Sequence, residues 1–250
     1  MDDMFSQASR CLAITKKDIR IYYLRGPVII FGILIPLFFF FAYSVGRNIP
    51  KEFLFSGLLG ITLFFGSTSV SPMIFPWEAR MKTLERLISS PLLIETILLG
   101  DMLASFIFGI TITTIPLLVG MVVGLNISSF LVLILGIVLA GLCFSALGLL
   151  FSVPPSSMPS SIMLLSNLVK FPLLFISGII IPLEKMPVWG RTLASISPLT
   201  YFVDLMRGTF QGANYYSIFH NLISLILFSI AFLAIAIIGH KRTLEKRLYS

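Results

Sequence analysis

Charge is scarce in this chain. Of its 250 residues only 12% are Asp, Glu, Lys or Arg, while 57% are hydrophobic and the mean hydropathy is +1.00. A soluble domain carries about twice that charged fraction, so a water-soluble fold is excluded. Residues 102–169 hold no charged side chain at all. Cysteine is rarer still: Cys11 lies in a basic segment and Cys143 in an apolar one, far apart, which supports neither a disulfide framework nor a metal site. The two histidines, His220 and His240, flank the last apolar stretch, and no H-E-x-x-H occurs, so a zinc-peptidase site is not encoded. No Gly-Lys dipeptide occurs anywhere, which removes the G-x-x-x-x-G-K-[ST] phosphate loop and leaves any ATP-driven process dependent on a partner. Asp101 and Asp204 fall in segments expected at opposite membrane faces, so they form no shared-proton pair. The chain is therefore read as a non-enzyme, with no catalytic, cofactor-binding or metal-ligating residues.

What is present is apolar length. A spanning helix needs roughly 20 mainly apolar residues at 1.5 Å each, and six stretches meet that need: 27–46, 53–75, 102–125, 130–151, 162–181 and 218–239. Within the long uncharged region the dividers are the polar cluster 126–129 and the Ser/Pro-rich segment 152–161. The predicted fold class is an all-α integral membrane protein with six transmembrane helices in one domain spanning residues 1–250.

The net charge of +7 is scattered among these stretches and forms no continuous groove, so it points away from nucleic acid and toward topology. With the N-terminus inside, the inner segments carry Arg10, Lys16, Lys17, Arg20, Arg25, Arg80, Lys82, Arg86, Lys241, Arg242, Lys246 and Arg247. The outer segments carry only Arg47, Lys51, Lys185, Arg191 and Arg207. Twelve against five predicts both termini in the cytoplasm, with 240–250 as a cytoplasmic tail. No cleavable signal is expected, because the basic stretch before the first span is too long and no small-residue cleavage site follows it.

Three segments break the apolar pattern. Residues 76–91, PWEARMKTLERLISSP, place Trp77, Met81, Leu84, Ile88 and Pro91 at intervals of three or four, which predicts one amphipathic helix. Glu78 and Lys82 are spaced to brace it, leaving Arg80, Glu85 and Arg86 for water or a partner. Residues 1–26 also read as an interfacial helix, with Phe5, Ala8, Leu12, Ile19 and Tyr22 on an apolar side. Between spans five and six, residues 182–213 predict a re-entrant or interfacial hairpin of two short helices, 188–195 and 199–211. Pro187 and Pro198 stand at the helix starts and Gly212 at the stop, while Trp189, Tyr201, Phe202, Phe210, Tyr215 and Tyr216 suit headgroup depth.

Two of these segments carry a family resemblance. EARMKTLERLISSP at 78–91, with I-P-L-x-x-M-P-x-W from Ile181 and S-P-L-T-Y-x-V-D-x-M-R-G from Ser197, resembles the permease subunit of type-2 ABC transporters. The likeness extends over nearly the whole chain and is nearest to permeases for drug resistance and for export of nodulation factors, polysaccharides or lipids. It implies that 76–91 is a coupling helix docking on a separate ATPase through Glu78, Arg80, Glu85 and Arg86, and that 1–26 is a connecting helix at the same junction. It also implies two permeases, identical or related, around one path, with two ATPase subunits that bind the ATP and magnesium. The expected location is the cell membrane and the expected substrate is amphipathic, drug-like or lipid-linked.

Charges near the spans have two readings each. Lys170, with Asn167 a turn before it, is a candidate for the translocation path or a lysine snorkelling to the inner interface. Glu95 and Asp101 flank the predicted start of span three, where a helix N-terminus favours carboxylates. In the predicted outer hairpin, Trp189, Tyr201, Asp204 and Arg207 are the candidate residues. Competing readings are an ATP-independent secondary transporter or channel, which would show internal repeats and intramembrane acids, and a membrane assembly factor.

Overall fold

The computed structural model describes residues 2–45, 50–90, 92–155 and 158–248. Arg47 and Pro91 lie outside them, as do the side chains of Phe5, Lys246 and Arg247. The described residues form helices joined by turns and irregular segments, without a strand.

Helix α1 (Asp2–Asp18) runs into a π-turn at Ile19–Tyr23 and then α2 (Gly26–Ser44). Pro27 opens α2 where its missing N–H costs nothing, and Pro36 sits inside it. The next span is broken: α3 (Lys51–Thr68) ends at Ser69–Val70, and α4 (Ser71–Arg80) follows with Pro72 at its start. After α5 (Thr83–Ile88) come α6 (Ile94–Val122), α7 (Phe130–Phe151) and α8 (Pro159–Ile176). Short α9 (Val188–Ala194) and α10 (Pro198–Gln211) precede α11 (Ile218–Leu248).

Among the described residues, five helical stretches are long and apolar enough to cross a bilayer: Lys51–Arg80, Ile94–Val122, Phe130–Phe151, Pro159–Ile176 and Ile218–Thr243. A sixth is counted if α1 and α2 are taken together, although they meet at 87°. The boundaries shift from the predicted ones for local reasons. Helix α6 begins at Ile94, where Leu92 and Ile94 pack against the buried cluster that holds Ile97, Leu98 and Met102 and so extend the apolar surface toward the N-terminus. Helix α8 stops at Ile176 because Gly178 turns the chain with φ 85°. The predicted tail from residue 240 continues α11 instead of leaving the helix.

Helix α3 forms the centre, with every residue from Phe55 to Thr68 buried. Phe64 meets Phe144 of α7 edge to face at 5.1 Å, and Phe144 meets Phe202 of α10 at 6.2 Å in the same manner. Such pairs add about 0.5–1.5 kcal/mol beyond the area they bury. Small residues bring α3 and α6 together, as spans without a hydrophobic drive between them require. Gly66 and Gly109 face each other there, and a Cβ on Gly109 would reach to 2.0 Å from Ser67 Oγ.

Candidate functional site

The charged segment folds into two helices and a turn. Helix α4 carries Glu78 and Arg80, then Met81 and Lys82 turn the chain, with Lys82 left-handed at φ 56°. Thr83 Oγ1 donates to the Glu78 carbonyl at 3.2 Å and ties the turn. This corrects the single helix expected over 76–91. The break also separates Glu78 from Lys82, which do not brace each other, because the Glu78 carboxylate turns inward.

There Glu78 is buried and bonded to the Lys17 ammonium of α1. Lys17 Nζ also lies 3.0 Å from Asp18 Oδ1, and Tyr22 Oη reaches Glu78 at 3.5 Å. Burial works against the Lys17 charge, yet Asp18 and Glu78 together hold its pKa above the ordinary lysine value. Tyr22 stacks on Trp77 at 5.7 Å with the rings 11° apart. Glu78 is thus the buried partner of Lys17, and its carboxylate is not on the surface as the coupling assignment assumed.

The exposed residues of the segment are Arg80, Met81, Lys82, Thr83, Glu85, Arg86 and Ser89. Leu84 is their root: 1% exposed, it packs in one cluster with Phe75, Ile97 and Leu98. Trp77 and Ile88 also face the protein, but Met81 is 73% exposed and leaves the predicted apolar stripe.

Helix α1 lies on α6 with a more polar face than its sequence suggests. Ile14 and Thr15 are buried against Gly100, where Thr15 Oγ1 donates to the Gly100 carbonyl at 3.1 Å. Gln7 Oε1 accepts from Thr96 at 2.8 Å. Ala8 and Leu12, from the predicted apolar side, remain exposed. The contact requires glycine at 100, since a Cβ there would fall 2.7 Å from Ile14 Cγ2.

The other candidate residues do not converge on one site. Asp101 lies two turns inside α6, away from the helix start, and is buried. Its Oδ2 accepts from Ser71 Oγ at 3.0 Å, and its Oδ1 has no hydrogen-bond partner among the described residues. Glu95 does occupy the first turn of α6, and it pairs with Lys241 of α11. Lys170 is buried and donates to the Thr68 carbonyl at 2.9 Å, with the Phe65 ring 5.9 Å from its Nζ. It therefore serves the carbonyl exposed by the break after α3, which is a different arrangement from a lysine reaching an interface. Asn167 is half-buried one turn away. His240 is a core residue, with Nε2 2.9 Å from Ser152 Oγ and its ring 4.4 Å from Phe75.

The loop after α8 forms the two short helices expected, and Gly212 stops α10 with φ 72°. Tyr201, Asp204 and Arg207 are internal struts. Tyr201 Oη donates to the Ser195 carbonyl at 2.9 Å. Asp204 accepts from the backbone N–H of Tyr215 and Tyr216 and from Asn221 Nδ2, at 2.8 to 2.9 Å. Arg207 donates to the Gly178 carbonyl and lies over Phe53 at 4.2 Å. Trp189 is the surface member of the set, 70% exposed. The ionic joint of Lys17, Asp18 and Glu78 escaped sequence reasoning because Glu78 lies 61 residues from Lys17. The nearest signal was the presence of Asp18 and Glu78 beside apolar neighbours.

The family profile of the ABC-2 type transporter matches residues 10–211, which contain α2 to α10 and the second half of α1. The chain belongs to the ABC-2 type transporter family. Members are membrane domains, and this family normally works with an ABC ATPase subunit. Among its relatives, a putative transport permease ycf38 of Cyanophora paradoxa is 27% identical over 242 residues, covering 90% of this chain and 81% of that protein. Nodulation protein J of Rhizobium leguminosarum bv. viciae is 34% identical over 76 residues, 30% of this chain and 29% of that protein. The probable multidrug ABC transporter permease YbhR of Escherichia coli (strain K12) is 27% identical over 164 residues, 63% and 43% of the two chains. This ABC-2 chain is accordingly a multi-pass membrane permease.

Proposed function

We propose that this permease is the membrane subunit of an ATP-driven exporter, with the turn between α4 and α5 as the surface on which its ATPase acts. The observation that carries the reading is the contrast at that turn: Arg80, Glu85 and Arg86 are exposed while Leu84 and Glu78 are anchored inside. A load on the exposed residues passes through Leu84 to Phe75 of α4 and to Ile97 and Leu98 of α6. Through Glu78 and Lys17 it also reaches α1. Closure of the ATPase on ATP and magnesium then moves α1, α4 and α6 as one body. The lack of a phosphate loop in this chain makes such a partner necessary.

In this reading both termini and the charged turn face the cytoplasm of a cell membrane, α1 is the connecting helix, and α9–α10 cap the outer end. Two permeases, as a homodimer or with a related chain, and two ATPase subunits complete the transporter. The substrate proposed is amphipathic, drug-like or lipid-linked; the name of the multidrug relative supports the drug-like choice. Asn167 and Lys170 remain the candidates for the path within the spans.

The test is co-purification from detergent. The unmodified chain carries an ABC ATPase with it, and the double variant Glu85→Arg, Arg86→Glu loses most of that ATPase while keeping its own elution profile. An unmodified chain that brings down no ATPase removes the central claim.

A further inference from the structure

An apolar hollow of about 170 Å³ lies between α2, α3 and α6. Ile33 and Pro36 of α2, Phe55 and Leu58 of α3, and Ile115 and Val119 of α6 line it. Two prolines, Pro36 of α2 and Pro116 of α6, stand in the lining, each inside its helix where it removes one backbone hydrogen bond. The hollow exceeds the roughly 150 Å³ at which an apolar cavity stays dry and takes up a benzene-sized hydrocarbon. Thr62, at its deep end, has its hydroxyl committed to the Leu58 carbonyl at 2.7 Å, so no polar group is offered there.

At the other end stands Lys51. One turn before Phe55, its ammonium donates to the carbonyls of Val123 and Gly124 at 3.3 and 2.7 Å, one turn beyond Val119. Among the described residues two of its three N–H groups are thereby used. Lys51 is exposed, and Glu52 stands about 100° further round the helix. From Lys51 to Thr62 the helix rises about 16 Å, close to half of the roughly 30 Å hydrocarbon thickness. One cation at the rim, followed by apolar lining for the depth of one leaflet, is complementary to one amphiphile: a phosphate headgroup with an acyl chain beneath it.

We infer that this hollow is a lipid site, in which an anionic phospholipid places its phosphate at Lys51 and one acyl chain along Phe55, Leu58, Ile115 and Val119. That the leaflet is the outer one rests on the orientation proposed above; lipid occupancy does not. The exposed apolar residues of α11, Phe219, Ile223, Leu227 and Ile230, provide an internal reference for lipid that merely surrounds the protein.

The experiment reconstitutes the full chain in vesicles containing phosphatidylglycerol with a photoreactive diazirine in its acyl chain, and maps the adducts by peptide mass spectrometry. Adducts concentrate on α3 and α6 at the lining residues, above the α11 reference. Ile115→Trp, which fills the hollow from its open side, lowers them about tenfold, as does Lys51→Glu, in line with the loss of one charge-assisted contact. Phosphatidylethanolamine carrying the same probe shows less labelling and a smaller response to Lys51→Glu. Equal labelling of α11 and the hollow, unaltered by Ile115→Trp, means surrounding lipid only and overturns the inference. So does a disulfide joining two copies through Leu37→Cys and Ile115→Cys, because a second chain then occupies the hollow. Val119→Phe, a milder filling, repeats the test if the tryptophan variant elutes as aggregate.

Discussion

Burial pushes the Asp18 carboxyl up to about 6, against the pull of Lys17, and Glu78 adds to the rise. A folded state that binds this proton more tightly than the unfolded chain gains its contribution in full below the ordinary carboxylate pKa of about 4, and loses it as pH rises through about 6. Attachment of α1 is therefore firmer at pH 5.5 than at pH 7.5. Amide exchange over residues 11–18, corrected for intrinsic rates, is slower at the lower pH, and Asp18→Asn removes the difference; equal protection at both values contradicts the assignment. At the same joint, Glu78→Gln removes one of the two carboxylates that face the Lys17 ammonium. The expected cost is roughly 2 kcal/mol, below the 3–5 of a fully buried pair because the Lys17 side chain keeps 28% exposure. A lowered thermal midpoint in detergent reports it, and an unchanged midpoint would show that the pair contributes nothing. Lys170→Met similarly leaves the Thr68 carbonyl without its donor, at about 1–3 kcal/mol in the same assay. The sequence marked Lys170 as a charge within a span and set Glu78 beside Lys82, but it gave the partner of neither, since a hydrogen bond across 61 or 102 residues has no local signature.

At the scale of elements, five of the six expected spans and the short helices α9 and α10 were legible because length, apolarity and the positions of Pro187, Pro198 and Gly212 act within a few residues of chain. The break at Met81–Lys82 was not. The periodic placement of Trp77, Met81, Leu84 and Ile88 fits one helix, but anchoring Glu78 on α1 and Leu84 against α6 from either side of Lys82 forces a left-handed residue between them. The buried face of α1 was misjudged for a related reason: what decides it is the flat site at Gly100, which admits Ile14 and Thr15. Gly100→Val should therefore displace α1 and cost about 1–3 kcal/mol as overpacking. Protease cleavage within residues 7–25 accelerates in this variant while the spans stay intact, and adding Ile14→Ala recovers part of the loss. Unchanged cleavage would mean that α1 is held elsewhere.

For the molecule as a whole, α3 sits at the centre and receives α6, α7 and α10, while the broken link from α3 to α4 carries the chain to the charged turn. Family membership was legible from the two motifs, which lie at opposite ends of this arrangement. The joint that ties the charged turn to α1 and α6 was not, because it runs through Leu84, Lys17 and Gly100, residues that only the folded chain brings together. The central claim is that the turn between α4 and α5 meets an ATPase. Site-specific photocrosslinking tests it most directly, with benzoylphenylalanine in place of Glu85 and, separately, of Trp189 in the hairpin after α8, in membranes of the producing cell. The account predicts an adduct between position 85 and an ABC ATPase subunit and none from position 189. An ATPase adduct from 189, or none from 85 in a chain that is folded and inserted, would contradict it.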